Sequence, residues 1–232
     1  MIFEKTRPQL KKPSALIPNP HSPTPILIKL MSTDSLFQQL KHPNPNLRER
    51  AMWELADARD ENTIPRLMSI LDEEDVTYRR AAVKALGAIG IDAVPPLVES
   101  LLNSDNATVR GSCAKALAQV AVNHPDIPFP DEGLQGLKTA LNDPNGVVYI
   151  ASVMALGEIG SPAFEILAEA LKTTDNVAVA VAIVNALGSM GDVRGVEVLT
   201  ALTNDESVDP YIRESAVSAL PRLDLVINYK RA

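Results

Sequence analysis

VKALGAIG, Val83 to Gly90, returns as VMALGEIG from Val153 to Gly160 and as VNALGSMG from Val184 to Gly191. Each copy reads as the end of a helix: small and branched apolar residues, then a glycine suited to a helix stop. Fixed-period self-similarity marks a repeat architecture. With the leucine of ALG as anchor, equivalent leucines stand at 55, 86, 117, 156, 187 and 220, spaced 31, 31, 39, 31 and 33 residues apart. Ala82, Leu86 and Ile89 lie at i, i+4 and i+7, one face of a helix, and Val83 and Ala85 widen that face.

Shorter amphipathic segments alternate with these copies, among them TIPRLMSIL, AVPPLVESLL and PAFEILAEAL. Several begin near proline, which a first helical turn tolerates. They end in Asp/Asn-rich turns such as DEED, NSDN and TTDN. The pattern predicts an all-α fold, an α-solenoid of about six helix–turn–helix repeats over residues 31–232. One unit cannot bury its apolar face, whereas six stacked units can. The longest spacing comes from VNHPDIPFPDEG, Val122 to Gly133, with three prolines. It reads as an ordered surface loop that distorts the stack locally.

Composition narrows the function. Only 4% of the 232 residues are aromatic, and the net charge is −7. An acidic chain is a poor general binder of nucleic acid, which needs clustered cations. No apolar run reaches the ~20 residues that span a bilayer. Residues 1–30 differ from the rest: six prolines and five basic side chains against one acid give +4. That segment is expected to be a disordered tail, with Met31 as an alternative natural start. The lone cysteine, Cys113, forms no internal disulfide and suits a reducing, cytoplasmic setting.

No catalytic motif is present: no G-x-S-x-G, no P-loop, no H-E-x-x-H and no C-x-x-C. His21, His42 and His124 are far apart and lack metal-ligand spacing. Cys113 aligns with Ala51, Ala82, Ser152, Ile183 and Ala216, so a packed small residue is expected there. These observations favour a non-catalytic binding protein with no metal and no cofactor of its own. Second helices of such units line the concave face, where partners bind. On that face the expected binding residues are Trp53, Arg80, Lys84, Lys115, Tyr149, Ile150, Met154 and Val181. Tyr149, Ile150, Met154 and Val181 would form an apolar patch beside the three cations. Two other readings stand beside a protein interface: a rotated fourth unit that buries these residues as core, and a ligand groove whose cations meet carboxylates over an apolar floor.

The pattern D-x-x-x-R-x-x-A-x-x-A-L-G-x-I-G, Asp75 to Gly90, resembles a HEAT repeat. It is close to the HEAT-like repeats of cyanobacterial phycobilin lyases of the E/F type, over about residues 34 to 224. The stretch from Leu47 to Gly90 also resembles the IscA-interacting HEAT-repeat proteins of cyanobacteria. That second resemblance implies an adaptor for an A-type iron–sulfur carrier, with any iron–sulfur cluster shared through the partner. The first implies a phycobilin lyase subunit, or a chaperone for phycocyanobilin or a phycobiliprotein of the phycobilisome, with a second HEAT subunit as partner. The adaptor is the leading expectation and the lyase or chaperone its alternative; if the chain is an enzyme, it is an E/F-type lyase. The family pattern also implies a hydrogen-bonded ladder between repeats. Its positions here are Asn44/Arg48, Asp75/Arg79, Asn106/Arg110, Asn145/Tyr149, Asn176/Ala180 and Asp209/Arg213, so the cation is missing in units four and five.

Overall fold

A computed structural model describes residues 32–231; the expected disordered tail lies outside them. Twelve α-helices follow one another: α1 (Thr33–Gln39), α2 (Pro45–Asp57), α3 (Thr63–Ser69), α4 (Val76–Ile89), α5 (Val94–Asn103), α6 (Ala107–Asn123), α7 (Asp131–Ala140), α8 (Gly146–Ile159), α9 (Phe164–Thr173), α10 (Val177–Leu187), α11 (Arg194–Asn204) and α12 (Pro210–Arg231). Short 3₁₀ turns at 70–72, 91–93 and 161–163 sit between helices, and the described residues contain no strand. The helices form six pairs, as the spacing of the anchors predicts.

The even-numbered helices pack in one unbroken row, α2 on α4, α4 on α6, and so on to α12. The odd-numbered helices meet one another only lightly, apart from α5 on α7. The second helices therefore form the tightly packed row, and the side that this row turns away from the first helices is the inner face. All six anchor positions face inward, and Leu55, Leu86, Leu117, Leu156 and Leu187 are fully buried. At about 25 cal/mol per Å² of apolar surface, such positions supply most of the drive to stack.

The two glycines of ALGxxG do different work. The first allows neighbouring second helices to touch. A Cβ on Gly87 would overlap the Cβ of Gln119, and one on Gly188 would stand 2.7 Å from the Cβ of Ala219. The second glycine ends the helix with a positive φ, 88° at Gly90 and 81° at Gly160. With ψ near −143° and −141°, these stops lie outside the left-handed helical region expected from the sequence. They occupy a region that only glycine enters readily.

The ladder is partial. Its Asp and Asn members cap the second helices: Asp75 accepts from the Thr77 and Tyr78 amides, and Asn44, Asn106, Asn145, Asn176 and Asp209 act alike. Arg48 and Arg79 donate back to carbonyls of the preceding turn, at His42, Pro43 and Glu73. Links between repeats are made by Asn106 to Asp72 and by Arg110 to Asp143. Arg110 grips Asp143 with two hydrogen bonds of 2.7 and 3.0 Å, and both side chains are largely buried.

The proline-rich insertion does not break the stack, because α6 and α8 remain tightly packed beneath it. Its ends are pinned instead. His124 lies 3.1 Å from the Ala88 carbonyl, in the space left by Gly90, and Phe129 fills the space left by Gly133. At the far end α12 has no covering repeat among the described residues. Its Val217 is 58% exposed, whereas Met52, Val83, Ala114, Val153 and Val184 at the same repeat position are buried.

The Arg110–Asp143 pair gives a pH-dependent expectation. Hydrogen bonds from Arg110 hold the Asp143 carboxyl below its ordinary range. A depressed folded pKa stabilises above the unfolded value of about 3.9 and is lost as pH falls through the folded one. Asp143→Asn should therefore lower stability by about 1–3 kcal/mol at pH 7, and thermal melts should find the gap to wild type closing below about pH 4. An unchanged gap at acid pH would show that the charge pair is not its source.

Candidate functional site: the inner face of the stack

The inner face is built from three repeat positions, which lie six and two residues before the anchor leucine and two after it. Two residues before it stand Trp53, Lys84, Lys115, Met154, Asn185 and Ser218; six before it stand Glu49, Arg80, Gly111, Ile150, Val181 and Glu214. Helical geometry puts both sets on one side of each helix. The structure exposes Trp53, Arg80, Lys84, Lys115 and Met154 there, and half-buries Ile150 and Val181. Met154 is 63% exposed, so the rotated, core-forming arrangement of unit four does not occur.

Seven of the eight expected residues share this face, but they form two zones. Arg80 and Lys84 line a shallow groove between α2 and α4, with Glu49, Met52 and Pro45 on its opposite wall. Trp53 on α2 precedes Lys84 along the row, with α4 and α6 between it and the apolar zone. Lys115 stands on α6, which packs on α8 with Ile150 and Met154, and α8 packs in turn on α10 with Val181. Val147 belongs to the apolar zone as well, at 65% exposure, and its side chain is the one nearest the Cβ direction of buried Gly111. Val147 was hidden in the sequence by counting only one register. The spacing Val147, Ile150, Met154, at i, i+3 and i+7, is the signal that finds it.

Tyr149 is the exception, and its expected place in the patch is corrected. Five residues at about 100° each put it about 140° around α8 from Met154. It is half-buried and lines a cleft with Leu141, Ile166, Ala170 and Thr173. Burial pushes its phenol up, and a hydrogen bond with Thr174 acts the other way. Tyr149 thus occupies the ladder position where units one to three carry arginine.

Three cations of the inner face lack partners. Arg80, Lys84 and Lys115 make no ion pair and no side-chain hydrogen bond among the described residues. Arg48, Arg59, Arg66, Arg79, Arg110 and Arg194 are all engaged elsewhere. Cys113 is fully buried, and burial pushes its thiol up to about 12, so it is neither a thiolate nor within reach of a ligand. Among the described residues no group of three or more His, Cys, Asp or Glu side chains could hold a metal ion. No single helix among them is long and apolar enough to cross a membrane.

A stack of helix pairs with an exposed, patterned inner face defines a binding solenoid. The description HEAT repeats matches residues 33–118 and 134–221, and the chain belongs to that family. Two relatives make the kinship more particular. Phycocyanin operon protein Z of Pseudanabaena tenuis is 62% identical over 201 residues, covering 87% of this chain and all of that protein. The bilin biosynthesis protein CpeZ of Synechococcus sp. strain WH8020 is 34% identical over 168 residues, covering 70% of this chain and 90% of that protein. A solved complex of CpcE and CpcF of phycocyanin lyase from Nostoc sp. is 22% identical, with a TM-score of 0.46, covering 66% of this chain and 96% of that one. The names of the first two relatives overturn the expectation of an A-type iron–sulfur carrier adaptor: both belong to the phycocyanin and bilin setting. The resemblance from Leu47 to Gly90 rested on repeat features that HEAT proteins share, so it could not discriminate a partner.

The exposure of Met154 has a direct consequence. Met154→Glu should change stability by no more than about 0.5 kcal/mol, as for other surface substitutions. The same change at its fully buried neighbour Val153 should prevent folding. Circular dichroism melts of the two variants compare them; a collapse of the Met154 variant would mean that the patch is core.

Proposed function

We propose that the chain binds a bilin on its inner face and holds it for transfer to a phycobiliprotein, acting as a lyase-like subunit or bilin chaperone. The observation that carries this reading is the pairing of unpartnered Arg80, Lys84 and Lys115 with an apolar floor of Val147, Ile150, Met154 and Val181. A bilin such as phycocyanobilin is an open-chain tetrapyrrole with two propionate carboxylates. Its rings suit the floor, and its carboxylates suit Arg80, Lys84 and Lys115, which make no ion pair among the described residues although Glu49 lines the same groove as Arg80 and Lys84. The names of the two relatives support the same setting.

The pigment would be held without a bond to this chain's thiol, since Cys113 is buried and protonated. Handover requires a protein partner. The uncovered side of α12, with Val217, Leu225 and Tyr229 exposed, is the surface we assign to it. Exposed apolar side chains on one helix mark an interaction surface.

Titration of the full chain with phycocyanobilin, followed by absorption, tests the proposal. A saturable spectral shift is expected. Lys84→Glu/Lys115→Glu should weaken it by at least about tenfold, the loss of one charged hydrogen bond, and added salt should weaken the wild type as well. Absence of binding, or equal affinity in the double variant, would contradict the proposal.

A further inference from the structure

The insertion between the third and fourth helix pairs serves no packing need. The other pairs do without it, and α6 and α8 stay packed beneath it. Yet it is held at both ends, by His124 against the Ala88 carbonyl and by Phe129 over Gly133. Between those pins it keeps Ile127 45% exposed and Asp126 in solvent. With the end of α8 and the turn after α10 it walls an open cavity of about 690 Å³, whose lining includes Asp126, Ile127, Pro128, Glu158, Ile159 and Ser189. Small-molecule sites run from about 300 to 1,000 Å³. This space is large enough for a ligand, whereas the groove at Arg80 and Lys84, at about 220 Å³, falls short.

The chemistry of the cavity is particular. Asp126 and Glu158 make no ion pair and no side-chain hydrogen bond among the described residues, and no lysine or arginine lines the cavity. The other titratable side chain in its lining is His124, whose Nε2 already faces the Ala88 carbonyl. Two carboxylates in a concave, partly apolar space call for hydrogen-bond donors. The cavity is also continuous with the inner face. Ile150, Met154 and Glu158 recur at i, i+4 and i+8 along one side of α8, and Val181, Asn185 and Ser189 do the same along α10 and its end. A ligand whose rings lie on the floor reaches the cavity one turn further on. A bilin brings the missing donors: pyrrole N–H groups punctuate its otherwise apolar chain of rings, and carboxylates accept them in charge-assisted hydrogen bonds. We infer that one end of the pigment passes under the insertion, where Glu158 and Asp126 accept its pyrrole N–H groups and Ile127 covers its rings. This rests on the bilin-binding reading.

The test titrates the full chain with phycocyanobilin and compares wild type with Glu158→Gln/Asp126→Asn. Both side chains are exposed and unbonded, so the variant should melt with the wild type. Neutralising two acids near a dicarboxylate would by charge alone tighten binding. The inference predicts the reverse: affinity at least about tenfold lower, the loss of one charged hydrogen bond, with the absorption band of the bound pigment moved back toward that of the free pigment. Lys84→Glu/Lys115→Glu should lower affinity and leave the band at saturation where the wild type has it. Unchanged or tighter binding by Glu158→Gln/Asp126→Asn, while Lys84→Glu/Lys115→Glu still weakens it, would overturn the role of the cavity and leave the bilin reading standing. A wild-type chain that binds no pigment would overturn both. Should the acid variant fail to fold, Ile127→Ser decides: several-fold weaker binding supports the cavity, and wild-type affinity overturns it.

Discussion

The structure depends on how closely one second helix can approach the next. Gly87, Gly157 and Gly188 remove the side chain where the following helix arrives, and Gln119, Ala186 and Ala219 take the space. Close approach brings the anchor leucines together and forms a continuous core along the even-numbered row. It also tightens that row relative to the odd-numbered helices, and the side turned away from them is the inner face. The functional surface is thus a consequence of the packing rule, since the side chains two and six residues before each anchor are turned away from the core that the rule builds.

A repeat protein states its structural needs six times, which makes departures informative. The capping Asp or Asn is kept in every unit, because each second helix has amides to satisfy. The inner row is not kept. It changes from cations on α4 and α6 to apolar residues on α8 and α10, with no structural demand for either. A uniform scaffold carrying a non-uniform face is what the proposed binding of a ligand with a charged end and an apolar body requires.

Much of this was legible in the chain. The period of the ALG copies placed all twelve helices, because burial between neighbours forces the same apolar pattern into each unit. The Asp or Asn before each second helix was implied by the family resemblance as a ladder member, and in the structure it caps its helix. Seven of the eight inner-face residues followed from register alone. Tyr149 did not, because it fills the arginine site of the ladder, and a missing cation in a sequence does not say whether the space is filled or freed. Val147 lies outside the register of the anchor-based rows and shares their face only through its i, i+3, i+7 spacing with Ile150 and Met154. The partner class could not be read from repeat similarity, since the residues that make a HEAT unit are the residues that stack it. The names of relatives aligned over most of the chain, rather than the motif, moved the reading from iron–sulfur to bilin chemistry.

The central claim is that pigment rests on the inner apolar floor. Methionine-methyl NMR on the full chain during phycocyanobilin titration reads this directly. Met154 stands exposed on the floor, whereas Met68 belongs to α3 on the outer row. The account predicts a saturable shift of the Met154 methyl, driven by the adjacent pigment, with Met68 unmoved. Saturable pigment binding that leaves Met154 unmoved would contradict it.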